Sequence, residues 1–199
     1  MPTIPPKPYI FRIPQNLRDL NPKAYMPHHV GIGPYHADAE QFKSMEPHKL
    51  RYLNSLMLSS GDQNKLKGYV TEIEKRESEA WRCYLEIEHL RNKFGSQNFK
   101  NMLLLDGAFT IKLLCRMFLW MINNISNEFD VKHLADIFDF GIMDANDPMF
   151  DFARTQYEVL WDLILLENHL PFSILEALYD CAFSNKSPLS HLLSSHMSA

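Results

Sequence analysis

Hydrophobic positions along the chain follow two regimes, and the change falls near residue 44. Beyond it, apolar side chains return every three to four residues, the spacing that lines one face of an α-helix. Met45, Leu50, Leu53, Leu56 and Met57 predict a helix over 44–58, with Pro47 accommodated in its first turn. A longer stripe, from Leu66 through Tyr69, Ile73, Trp81, Tyr84 and Leu90 to Phe94, predicts a second helix capped by Asp62 and stopped by Gly95. Its other face is charged, with Glu72 standing four residues before Arg76. From Ser96 to Ile122 the chain is apolar on nearly every side, which predicts a helix in the middle of a bundle. A shorter helix over 131–138, a loop around Gly141 and Asp147-Pro148, and two closing helices over 152–167 and 171–183 complete the pattern. Strand signals are sparse, so the expected class is all-α, an irregular helical bundle.

Before residue 44 the periodicity disappears. Nine of the twelve prolines lie in the first 47 residues, where each fixes a backbone angle and removes an amide donor. The segment is nonetheless rich in Tyr9, Ile10, Ile13, Val30, Ile32 and Tyr35, too apolar for a solvated linker. The expected organisation is a Pro-rich extended segment over 1–43 lying across a helical domain over 44–183. A polar tail over 184–199 is expected to fray.

Composition fits this picture and narrows the function. With 199 residues, 46% hydrophobic and 22% charged, the chain is long enough for one core without a disulfide or metal. A net charge of -4 argues against a general nucleic-acid binder, which needs clustered, unopposed Lys and Arg. Charge is uneven, because the stretch from Glu128 to Glu167 is strongly acidic while the first half is basic. That stretch reads as solvated or paired with the basic half; the alternative is an acidic patch for a basic partner. Cys83, Cys115 and Cys181 form no C-x-x-C pair and read as reduced core thiols, which points to the cytosol or the cytosolic side of a membrane.

The proline-broken N-terminus does not resemble a signal peptide. The most apolar run, 102–125, carries Asp106, Lys112 and Arg116, each costing about 2.5 to 3.5 kcal/mol in a membrane, so no transmembrane segment is expected. The sequons at Asn124 and Asn185 read as chance matches in such a chain.

Candidate chemistry is thin. His28, His29 and His36 lie closest together among nine histidines, but their spacing matches no ligand motif, so no metal is expected. Gly31-Ile32-Gly33 is followed by Pro34, which has no amide to offer a phosphate, and neither a P-loop nor a G-x-S-x-G elbow occurs. Cys83 sits beside an apolar stripe and reads as an inert thiol. The carboxylates inside apolar runs, Asp106, Asp162 and Glu167, are more informative. A carboxylate among leucines is either paired or raised in pKa, so it serves as a structural anchor or as a general acid. As anchors, Asp106 would pair with a basic group, and Glu167 and Asn168 would bond open amides at the start of the helix near Pro171.

Several segments then match one family in order. IFRIPQNLRDLNPKAYMPHHVGIGPYH, FKSMEPHKLRYL, RCYLEI, MLLLDGAFTIKLL and DLILLENHLPFSILEAL together resemble the plant family catalogued as Domain of Unknown Function 247. The resemblance implies a helix-rich plant protein with no established enzymatic activity. It also implies longer members ending in a membrane-anchoring helix, some of which act in grasses as pollen-side determinants of self-incompatibility. Against the family pattern this chain has His169 where Gln is usual, and since it stops shortly after the L-P-F block, the usual second half and anchor are expected to be missing from it.

The expected function is a non-catalytic interaction or recognition domain with a protein partner, no cofactor and no nucleic acid. Its motif residues would hold the fold. Gly33, Pro34 and Tyr35 would turn the chain onto the body, and Met45 would begin the motif helix on which Glu46 and Lys49 share a face. Tyr84 belongs to the C-Y block, Leu105, Asp106 and Gly107 would allow close helix packing, and Glu167, Asn168 and Pro171 would open the last helix. The rival reading is a hydrolase-like enzyme with Asp106, Glu167 or His36 converging on an open pocket. A third is a truncated, non-functional paralogue exposing apolar surface over 150–199.

Overall fold

A computed structural model describes residues 8–58, 64–125 and 153–183. The expected helix over 131–138, the loop at Gly141 and Asp147, the Asp62 cap and the tail over 184–199 lie outside the described residues. Among those described the architecture is all-α: α1 (Gln15–Leu20), α2 (Glu46–Leu58), α3 (Asn64–Arg82), α4 (Ile87–Ile125), α5 (Ala153–Leu163) and α6 (Phe172–Phe183), with 3-10 turns at Pro22–Ala24 and Glu40–Met45. The one β feature among these residues is an isolated bridge between Ile10 and Tyr84.

The apolar middle of α4 makes it the centre of the body. It packs against α2, α3 and α6, and α3 closes on α6. Phe99, Leu103, Phe109 and Leu113 of α4 are fully buried, and Trp81 of α3 stacks on Phe99 with Tyr84 edge-on to the same ring. Gly107 lets α6 come close, because a Cβ there would stand 2.4 Å from Leu178 Cδ1. None of the helices among the described residues is long and apolar enough to cross a membrane.

Three features differ from the pattern reading. The helix predicted across 62–95 is two helices, broken over Cys83–Glu86. There the helical ladder is exchanged for pairing with the N-terminal segment: Tyr9 and Ile10 N–H donate to Cys83 O, and Leu85 N–H donates to Ile10 O. The apolar spacing runs through the break because both sides face one core. Gly95, non-helical at φ +65° and ψ 168°, does end one helical stretch of α4 before the next begins, as expected, whereas the closing helix expected over 152–167 ends at Leu163. Finally, the segment before residue 44 is not simply extended, since it contains α1 and two 3-10 turns. It does lie on the body, burying Ile10, Ile13, Val30, Ile32 and Tyr35, while α1 buries none of its own residues. Leu50 and Leu66, placed on apolar stripes by spacing, are about half exposed at 51% and 42%.

Candidate functional site

The sequence blocks that are far apart along the chain meet where the N-terminal segment crosses the body. Four polar side chains, Asp106, Asp162, Glu167 and Asn168, stand there with at most 2% exposure. Each bonds to the backbone or cations of the first fifty residues. Asp162, at the end of α5, accepts from the N–H groups of His28 (2.7 Å), His29 (2.6 Å) and Val30 (2.9 Å). Asn168 accepts from Ile32 N–H at 2.5 Å and donates to Val30 O and Asp162 O, each at 2.9 Å. Glu167 accepts from Ile13 N–H and from the Arg18 guanidinium. Without these side chains the proline-rich segment, which forms no sheet, would leave buried amides unbonded.

Asp106, in the middle of α4, accepts from Gly33 N–H at 2.8 Å and pairs with Lys49 Nζ at 2.7 Å. The ammonium of Lys49 also reaches Gly31 O at 2.8 Å and Glu46 Oε1 at 3.0 Å. Burial works against a charge on Lys49, but Asp106 and Glu46 outweigh it and hold its pKa above the ordinary lysine value. Burial pushes the Asp106 carboxyl above its ordinary value, opposed by Lys49 and the Gly33 N–H; the 2.7 Å contact makes the two a buried pair, with three acceptors around the ammonium.

The backbone of the I-G-P-Y-H block is shaped to fit. Gly33 has φ +76°, and a Cβ on it would stand 2.6 Å from His169 O, so both the conformation and the contact demand glycine. The same His169 carbonyl accepts from Tyr84 OH at 3.1 Å. These contacts use the main chain of residue 169, so they do not depend on its side chain. Pro34 and Tyr35 are buried in the turn, and Tyr35 OH reaches Ile10 O at 3.4 Å. Gly31 is close-packed in turn, since a Cβ would meet Phe42 Cδ2 at 2.6 Å.

His36 completes the cluster. Its ring is 5% exposed, edge-on to Phe42, with Nε2 3.9 Å from Glu167 Oε2 and no hydrogen-bond partner on that nitrogen. Burial, reinforced by Arg18 and Arg12 and opposed by Glu167, pushes its pKa down to about 4.

Most motif residues therefore meet in one clasp, but not all as expected. Asp106 has its basic partner. Glu46 and Lys49 do share a face. Glu167 and Asn168, expected to cap the helix after Pro171, instead hold amides more than 130 residues earlier. The start of α6 is served by Pro171 itself, whose carbonyl accepts from Ile174 N–H at 3.0 Å. Met45 and Leu105 are apolar packing groups. Spacing alone gave no sign of Arg18, nor of the pair between His29 Nε2 and Glu158 Oε2 at 2.5 Å. Three carboxylates of the acidic stretch, Glu158, Asp162 and Glu167, turn out to bind the N-terminal segment. Two surface clefts, one beside Arg12 and His89 and one beside Trp81 and Ser96, are lined by other side chains than those of the clasp. Among the described residues no group of His, Cys, Asp and Glu is placed to hold a metal ion.

Fold and site together define an all-α domain in which a proline-rich leading segment is fastened to a helical body by buried polar side chains. A family model described as a plant protein of unknown function, DUF247, matches residues 10–198, and the chain belongs to that family. It is 29% identical over 174 residues to a UPF0481 protein of Arabidopsis thaliana, covering 85% of this chain and 30% of that protein. It is 24% identical over 146 residues to a second UPF0481 protein of the same plant, covering 73% of this chain and 26% of the relative. The chain thus spans less than a third of the length of these curated relatives. No solved structure matches it.

Proposed function

We propose that this chain is a non-catalytic α-helical recognition domain that works through protein contacts, with its motif residues serving as an internal frame. One observation carries the reading: the polar groups of the motif blocks are buried and engaged with the chain's own backbone, so they are spent on assembly. A catalytic carboxylate needs access to substrate, and Asp106 and Glu167 are each 2% exposed. The family resemblance extends the proposal to recognition of the kind ascribed to grass members in pollen self-incompatibility. It also suggests work in the cytosol or at the cytosolic face of a membrane. Reduced thiols at Cys83, Cys115 and Cys181 are consistent with that compartment.

The test compares the chain with D106N and E167Q. Proteins captured from plant tissue are purified and their affinity for each form is measured beside its thermal midpoint. A recognition domain keeps its affinity in proportion to the fraction that remains folded. Turnover of an ester, peptide or glycoside substrate that E167Q abolishes at an unchanged thermal midpoint would overturn the reading in favour of an enzyme.

A further inference from the structure

Among the described residues the principal helix pairs of the body, α2 with α4, α3 with α4, and α6 with both α3 and α4, leave α5 out. Its inner face is taken by the clasp, with Val159 buried and Asp162 turned onto the amides of His28, His29 and Val30. Tyr157, Trp161 and Ile164 fall opposite, at the i, i+4, i+7 spacing of one helix face, which the bond from Ile164 N–H to Trp161 O carries just past the helix end. They are 57%, 66% and 59% exposed; Leu166 in the turn and Phe172 at the start of α6 are 57% and 70% exposed. Over 157–172 every exposed residue whose side chain is described is large and apolar.

The carboxylates of this stretch are withdrawn from that face. Asp162 and Glu167 are buried in the clasp, and Glu158 is held by His29 Nε2 at 2.5 Å. A surface that meets its own copy about a twofold axis sets each residue near the axis against its like, so an exposed charge there would meet the same charge. The described side chains of this face present none, and their rings can pair edge-on or offset with their counterparts. By the same token the face offers no charge by which a basic or an acidic partner would be selected.

Size points the same way. The rings of Tyr157, Trp161 and Phe172 leave about 300 to 500 Å² in water, and Ile164 and Leu166 bring the face to about 600 Å², as large as the largest apolar patch of an ordinary monomer. Two such faces would bury about 1,200 Å², the lower end of specific interfaces. We propose that the outward face of α5 and the turn after it joins two copies of this chain in a reversible dimer, with Trp161 as its anchor. An interface of this size gives a dissociation constant on the order of 10 to 100 μM. Melting at the few micromolar of a circular dichroism cell therefore reports the single copy.

Sedimentation equilibrium of the full 199-residue chain, from about 5 to about 500 μM, tests this directly. The weight-average mass should rise from one copy toward two and stop there. W161S should raise the dissociation constant about tenfold or more with the thermal midpoint unchanged, because the ring it removes stands mostly in water. Should W161S lower that midpoint, F172S takes its place. L50S removes a half-exposed leucine from α2, away from the face, and should leave the dissociation constant as it was. A chain that stays a single copy throughout overturns the proposal, as does a mass that climbs past two copies. So does a dimer that W161S and F172S leave intact, or one that L50S weakens as much. Co-sedimentation of the single copy with phosphatidylcholine vesicles, lost in W161S, would overturn it in favour of a lipid surface.

Discussion

Gly33 and Gly95 share a positive φ, yet they differ in what surrounds them, and that difference sets what each can tolerate. At Gly95 no atom lies within 4 Å of a built Cβ, so G95A should cost only the backbone strain of φ +65° and ψ 168°, a region essentially confined to glycine, about 1 to 3 kcal/mol. At Gly33 the strain of a positive φ adds to a Cβ 2.6 Å from His169 O, a backbone atom that cannot turn aside. G33A should therefore cost about 3 kcal/mol or more, read as a lower urea midpoint at unchanged slope. The Lys49–Asp106 pair makes a second residue-scale prediction. K49M leaves a buried carboxylate without its cation and should cost about 3 to 5 kcal/mol, and D106N should cost nearly as much. K49M/D106N should fall short of the sum by more than about 1 kcal/mol, because the second change removes the charge that the first stranded. Additive costs in urea unfolding would mean the two are not coupled. Part of this was legible in the sequence: a carboxylate inside LLLDGAF demanded a partner, and Glu46 stands one turn from Lys49. The partner itself was not, because Lys49 and Asp106 are 57 residues apart and nothing in either helix's spacing names the other.

At the scale of elements, helices were readable wherever one face met one core, and misread where backbone groups found distant partners. The stripe from Leu66 to Phe94 carries no mark of the break at Cys83–Glu86, because the signal for it lies in Tyr9 and Ile10, which take the carbonyl of Cys83. Likewise, E-N-H-L-P reads locally as a cap before a helix, the commonest use of such residues. The competing use, satisfying amides of a segment that forms no sheet, becomes visible only in three dimensions. It follows that α5 and the leading segment are one unit joined by Asp162. D162A leaves the amides of His28, His29 and Val30 without their acceptor. Val30 is fully buried, so its amide alone exposes the fold to about 1 to 3 kcal/mol. The expected signature is faster exchange over 27–36 with far-UV circular dichroism unchanged, since the helices keep their own ladders. Loss of helical signal in D162A would mean that α5 depends on the segment as strongly as the segment depends on α5.

For the whole molecule the question is whether the helices form a body that the leading segment decorates, or whether that segment belongs to the core. Ile10, Ile13, Val30, Ile32 and Tyr35 are all buried, and each contributes roughly 1.5 to 3 kcal/mol by leaving water. Five such side chains, about 8 to 15 kcal/mol at the upper end, match the entire stability of an ordinary domain. Proline density is a device here rather than an obstacle. It holds the segment in a shape that cannot add to a sheet, and it leaves the surviving amides to be met one by one by Asp106, Asp162, Glu167 and Asn168. Deleting residues 1–43 should therefore strip the core and also strand four buried polar side chains. The shortened chain should lose its cooperative thermal transition by circular dichroism and bind a hydrophobic dye, whereas the 199-residue chain should melt in one concentration-independent step. A sharp transition that survives the deletion at a similar midpoint would show that α2, α3, α4 and α6 close a core by themselves, and would demote the clasp from part of the fold to a covering over it.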